Sequence, residues 1–168
     1  MIRPIVRRRL TAAGAGLLLI TGGSRSFGAA AAPAAQAGAT FEACSLLTKA
    51  EVDAGTKLVA AAAVKGQTAN MRSCTFGNPK DATSPILVLN VLVTASSADA
   101  KKAHAIAKSN AADVAPVAGL GDEAYFDKYL HTLRVVKGRY AVDLVLDSSA
   151  GGVTEAKALA AKALPRLP

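Results

Sequence analysis

The 168-residue chain carries 20 Lys and Arg against 12 Asp and Glu, a formal charge of +8. Five of the cations (Arg3, Arg7, Arg8, Arg9, Arg25) precede residue 38 and no anion does, which leaves 15 cations against 12 anions, or +3, over residues 38–168. That span holds no Lys or Arg cluster interleaved with aromatics, which argues against nucleic acid as a partner.

Residues 1–37 have the layout of a bacterial export signal. Arginines open it, an apolar run from Leu10 to Thr21 follows with Leu17, Leu18, Leu19 and Ile20, and small residues lead to Ala35-Gln36-Ala37. Cleavage is expected among Ala29 to Ala32 or at Ala35-Gln36-Ala37, with the mature chain starting near Gly38. The apolar run of about a dozen residues falls short of the roughly 20 a spanning helix needs. No later segment reaches that length uncharged, so no stable membrane span is expected. Arg7-Arg8-Arg9-Leu10 with Gly14 and Gly16 suits twin-arginine export, whereas Arg25 near the exit suits general secretion. Either route leads to the periplasm or outside the cell. Residues 38–168 suffice for a single domain with one core.

In that oxidising compartment the only two cysteines, Cys44 and Cys74, read as one disulfide. Closing the loop stabilises the fold by roughly 3.6 kcal/mol on a chain-entropy basis. A redox pair would come as C-x-x-C, and a nucleophilic thiol would need a histidine and an orienting partner; neither stands around Cys44 or Cys74. Cys44 follows Phe41-Glu42-Ala43 rather than a leucine-led small-residue box, so lipidation is not expected.

Thr48-Lys49-Ala50-Glu51 is a capping box that starts a short helix ending at Gly55. Leu58 to Val64 reads as a weak strand and Met71 to Phe76 as a better one. Ile86 to Val93 is apolar at every position but Asn90, so both its faces should be covered and it belongs inside a sheet. Ser97 to Ala111 turns helical, with Ala103, Ile106, Ala107 and Asn110 as the packing face and Lys101, His104 and Lys108 as the solvated one. Gly119-Leu120-Gly121-Asp122 signals a turn into a strand at Glu123 to Phe126. Leu130 to Lys137 and Tyr140 to Asp147 flank Gly138-Arg139, which suits a type II′ hairpin turn that sets Val135 opposite Val142, Leu133 opposite Leu144 and Arg134 opposite Asp143. Thr154 to Leu164 is a closing helix stopped by Pro165. The expectation is a two-layer α+β fold in the order αβββαβββα, a mainly antiparallel sheet of about six strands with three helices.

Cys44-Ser45-Leu46-Leu47-Thr48-Lys49-Ala50-Glu51-Val52, then Ser73-Cys74-Thr75-Phe76 and Gly119 to Phe126, resemble small exported bacterial domains of unknown function. In that family a cysteine opens a C-x-L-L-T-x-x-E-V helix start and a second cysteine sits on a strand before an aromatic. Many members are lipoproteins; this chain departs from them in lacking a lipobox. The resemblance implies a fold and no activity.

Chemistry-bearing patterns are few. His104 and His131 read as solvated side chains, and no third donor stands near either for zinc. Asp122, Glu123 and Asp127 read as a solvated turn without the carboxylate spacing of a calcium loop. Gly119-x-Gly121 lacks the third glycine of a dinucleotide site, and there is no G-x-S-x-G elbow or P-loop. No metal, cofactor or catalytic residue is assigned. Tyr125, Tyr129 and Tyr140 fall within sixteen residues and are the candidate binding surface, with the alternative that they rim the core. The reading is a non-catalytic cell-envelope module that binds a protein or small ligand; the alternatives are an inhibitor or accessory subunit of another exported protein, then a small hydrolase.

Overall fold

Thr48 and Glu51 exchange the bonds their spacing dictates. The Thr48 hydroxyl accepts from the Glu51 amide at 3.2 Å and the Glu51 carboxylate accepts from the Thr48 amide at 2.9 Å, which opens helix α1, Lys49–Gly55. The structure, a computed structural model, describes residues 41–168. The export signal expected at residues 1–37, its cleavage site and the first residues of the expected domain lie outside the described residues.

After α1 come strands β1 (Ala63–Gln67), β2 (Met71–Asn78) and β3 (Asp81–Val93), helix α2 (Ser97–Ser109), strands β4 (Val114–Pro116), β5 (Glu123–Asp127), β6 (Thr132–Lys137) and β7 (Tyr140–Leu146), and helix α3 (Val153–Ala163). The strands form one antiparallel sheet in the order β1-β2-β3-β7-β6-β5-β4, so the fold is α+β with β3 interior. Among the described residues there are seven strands rather than about six. The added one, β4, spans three residues and ends on Pro116, too short to show alternation and blunted as an edge by a residue with no amide to donate. The first strand begins at Ala63 rather than Leu58, because the segment before it is held otherwise: the Ala60 amide donates to Asp53 Oδ1 and the Ala61 amide to the Gly77 carbonyl.

Alternation sends Cys74 and Phe76, Leu87, Leu89 and Val91, Leu133 and Val135, and Val142 and Leu144 to one face of the sheet. There they join Leu46, Leu47 and Val52 from the α1 region and Leu159 of α3 in one buried cluster. Each such side chain contributes about 1.5–3 kcal/mol by leaving water. The disulfide pins this side: Cys44, in a 3₁₀ turn at Ala43–Ser45, bridges to Cys74 with Cα atoms 4.9 Å apart. Another pin joins the ends of the described chain, where Arg166 donates to both carboxylate oxygens of Glu51, at 2.8 and 2.6 Å. Those bonds, with the Thr48 amide, lower the Glu51 carboxyl to about 2.

Helix α2 packs on the opposite face, against β6 and β7. The fold is therefore three-layered, not two-layered, with α1 and α3 on one side and α2 on the other. Its buried stripe also differs from expectation. Ala100 and His104 are buried, with Ala103 and Ala107 beside them, while Ile106 is exposed. A single helix covers only half of this second face, so Val88 and Leu92 of β3 stay half-buried and Met71 and Val64 exposed. The expectation that β3 would be covered on both sides holds for one side only.

The β6–β7 hairpin has the expected register, with Lys137 opposite Tyr140 and Arg134 opposite Asp143. Gly138 takes φ 55° and Arg139 no positive φ, as a type II′ turn requires. Gly121 (φ 54°) is equally constrained, because a Cβ there would collide with the Val136 carbonyl oxygen. The Gly119-Leu120-Gly121-Asp122 run thus has a packing role: Leu120 is buried, and Asp122 accepts from the Gly138 amide at 2.8 Å to brace the neighbouring hairpin.

A polar cleft beneath helix α2

Tyr125, Arg134 and Asp143 are nine positions apart, and the strand registers turn that spacing into a line. Cross-strand partners run Tyr125–Arg134–Asp143–Asn90–Ser73, from β5 to β2, all on the second face. The line passes under α2 and comes out on the uncovered half of the sheet. Where it emerges lies a cleft of about 100 Å³, walled by Ala103 and Ala107 of α2 on one side and Met71 and Leu92 on the other, with Asn90, Arg134 and Asp143 as its floor.

The floor is polar and only partly satisfied. Arg134 Nη1 donates to Asp143 Oδ2 at 2.9 Å. Its Nε is buried with no hydrogen-bond partner among the described residues, as is the Tyr125 hydroxyl. Burial pushes the Asp143 carboxyl up, against the pull of Arg134. His104 closes the inner end, its ring tilted at 59° against the Tyr125 ring with centroids 4.7 Å apart. Burial is the main cause that lowers the His104 pKa; Lys108 and Arg134 add to it and Glu123 opposes it. Burial likewise raises the Tyr125 phenol. The polar lining side chains supply hydrogen-bond donors and acceptors, from the Asn90 amide, the Arg134 guanidinium and the Asp143 carboxylate.

The three tyrosines named from sequence do not share a surface. Tyr125 is buried on the second face beneath α2. Tyr140 is buried on the first face, edge-on to Phe41 at 5.9 Å. Tyr129 alone is open, 77% exposed at the tip of the β5–β6 loop beside the half-exposed Leu130. That tip is well braced: Asp127 Oδ1 accepts from the Tyr129 and Leu130 amides at 3.0 Å each, the Lys128 amide donates to the Asp113 carbonyl, and His131 takes φ 48° to rejoin the sheet.

Two further readings are corrected. His104 is buried, not solvated, because the alanine stripe beside it brings α2 close enough for its ring to reach Tyr125. Asp127 is a buried loop cap, whereas Asp122 and Glu123 are exposed as expected. His131 is half-buried, its ring edge-on to Phe126. Among the described residues no three His, Cys, Asp or Glu side chains converge as metal donors, and no helix is long and apolar enough to cross a membrane. Sequence reasoning named Asn90 and the Arg134–Asp143 pair but gave them no role at a site. The missed signal was the equal spacing of Tyr125, Arg134 and Asp143, which only the hairpin registers align with Asn90.

No protein-family model, no curated protein and no solved structure matches the chain.

Proposed function

We propose that this chain is a non-catalytic binding module of the bacterial cell envelope, delivered there by its N-terminal signal. The observation that carries the reading is the cleft beneath α2, where apolar walls flank a floor of Asn90, Arg134 and Asp143. Ligand sites pair mostly apolar walls with a few placed polar groups in this way. At about 100 Å³ it falls below the roughly 300 Å³ at which pockets for drug-sized ligands begin, so it suits one protruding group of a partner, as an anchor pocket does. The single disulfide is in keeping with an oxidising compartment. The resemblance to exported domains of unknown function agrees with that address.

The test is co-purification of partners from envelope extract on immobilised wild-type protein and on Ala107→Arg, whose side chain would fill the cleft from α2. A partner held by the first and lost by the second supports the reading; equal capture by both overturns it. The second reading, an inhibitor or accessory subunit, is favoured by the braced and exposed Tyr129–Leu130 tip. It predicts that Tyr129→Ala loses the partner while Ala107→Arg keeps it.

A further inference from the structure

Resting on the binding-module reading, we infer that the cleft beneath α2 takes a neutral primary carboxamide on a short apolar stem, the head of an asparagine or glutamine side chain presented by a partner. The first ground is charge balance. Arg134 and Asp143 are opposite charges in direct contact at 2.9 Å, so the floor is neutral as a pair. A charged head, of either sign, would be attracted by one member of the pair and repelled by the other, which leaves its desolvation in a partly dry site without net compensation.

The second ground is the kind of bond left open. Asp143 engages Arg134 through Nη1, and no bond among the described residues engages Nη2, so the guanidinium, which lines the cleft, keeps an Nη edge with hydrogens to donate while Nε stays buried beneath it. That edge donates. Beside it the carboxylate of Asp143 accepts, and the Asn90 amide, directly across from Asp143, offers both. A carboxamide carries one acceptor and two donor hydrogens on a single plane, and so can meet a donor and an acceptor that sit side by side. The third ground is the walls: Ala103 and Ala107 facing Leu92 and Met71 give a slot for methylenes but no partner for a second polar group. A space of about 100 Å³ equals the liquid volume of about three waters, room for one such head and part of its stem.

The experiment is a titration of the purified protein, followed by amide NMR shifts, with three unbranched probes of four carbons each: butyramide, butyrate and butylammonium. Butyramide should shift the resonances of Ala103, Ala107 and Ala141 and saturate with a dissociation constant on the order of 1–10 mM, as an isolated fragment does. The two charged probes should bind at least about 5-fold more weakly. Ala107→Leu, which narrows the slot with an apolar side chain on a half-exposed helix position, should abolish the butyramide shifts while the melting temperature holds. Preference for butyrate or butylammonium overturns the carboxamide assignment and leaves the cleft as the binding site. Absence of cleft shifts with all three probes overturns the assignment and the binding-module reading together.

Discussion

Arg134 and Asp143 face each other across β6 and β7, joined at 2.9 Å, with only 22% and 30% of their side chains exposed. The same pair on an open sheet would be worth a few tenths of a kcal/mol. Under α2 it is worth more to keep intact, because removing one partner strands the other in a partly desolvated place. A double-mutant cycle with Arg134→Ala and Asp143→Ala, read by urea unfolding, should give a coupling of about 1 kcal/mol or more. A value under about 0.3 kcal/mol would place the pair with ordinary surface contacts.

His104 makes stability depend on pH. Its pKa is lowered in the folded state, chiefly by burial, so the unfolded chain takes up a proton first. The stability it contributes is complete above the unfolded value of about 6.5 and is lost as pH falls through the lower folded value. Asp143, raised by burial, works in the opposite sense: its contribution grows as pH falls toward the unfolded value of about 3.9. Comparing wild type with His104→Leu isolates the histidine. The urea midpoint of wild type should drop between pH 7.5 and 5.5, and that of His104→Leu should drop less. Identical slopes would show that His104 charges as freely folded as unfolded.

Glu51 acts at lower pH. Its carboxyl, held near 2 by Arg166 and the Thr48 amide, contributes stability above the unfolded value of about 4.3, lost as pH falls toward 2. Melting temperatures taken from pH 4.5 down to 2 should fall more steeply for wild type than for Glu51→Gln. Parallel curves would mean that the Arg166 bonds do not persist in solution.

The tyrosines should separate cleanly in a stability assay. Tyr129→Ala should change the unfolding free energy by less than about 0.5 kcal/mol, because the ring is largely in water. Tyr140→Ala should cost about 3 kcal/mol, as large-to-small changes in a core do. A Tyr129 cost near that of Tyr140 would show that the loop tip packs against the domain.

Gly119 and Gly121 both have positive φ, but only Gly121 is also crowded, by the Val136 carbonyl and the Val135 side chain. Alanine at Gly119 should cost about 1 kcal/mol, the strain of a left-handed residue alone. At Gly121 it should cost at least twice that, since backbone must move as well. Chemical denaturation of the two variants decides, and equal losses would mean that the turn simply shifts.

The local devices were legible because they are written in neighbouring residues: the Thr48–Glu51 box, the Gly138-Arg139 turn with its register, and the apolar run of β3. The disulfide was legible from the cysteine count and the compartment expected for the chain, and the bridge between Cys44 and Cys74 is present. What stayed hidden depends on distant pairing. Whether α2 lies with the other helices or across the sheet from them is not encoded in its own periodicity, and that choice alone decides whether His104 is wet or buried. The cleft was hidden for the same reason: Asn90 and Asp143 are 53 positions apart and become neighbours only through the β3–β7 pairing. Tyrosine spacing misled because Tyr125 and Tyr140 sit on opposite faces of one sheet.

The strand order has a consequence for how the chain reaches its native state. Five of the six neighbouring pairs join strands consecutive in sequence, and only β3–β7 does not. Each half, β1 to β3 and β4 to β7, is thus a meander that can zip up from its own hairpins, while the seam between Leu87–Val93 and Tyr140–Leu146 must wait for the last strand. Of the six pairings this one closes the longest loop and so carries the largest loop-closure cost, and it is expected to be the slow step of folding. Lengthening the segment between α2 and β4 should slow refolding while leaving the rate of unfolding nearly unchanged.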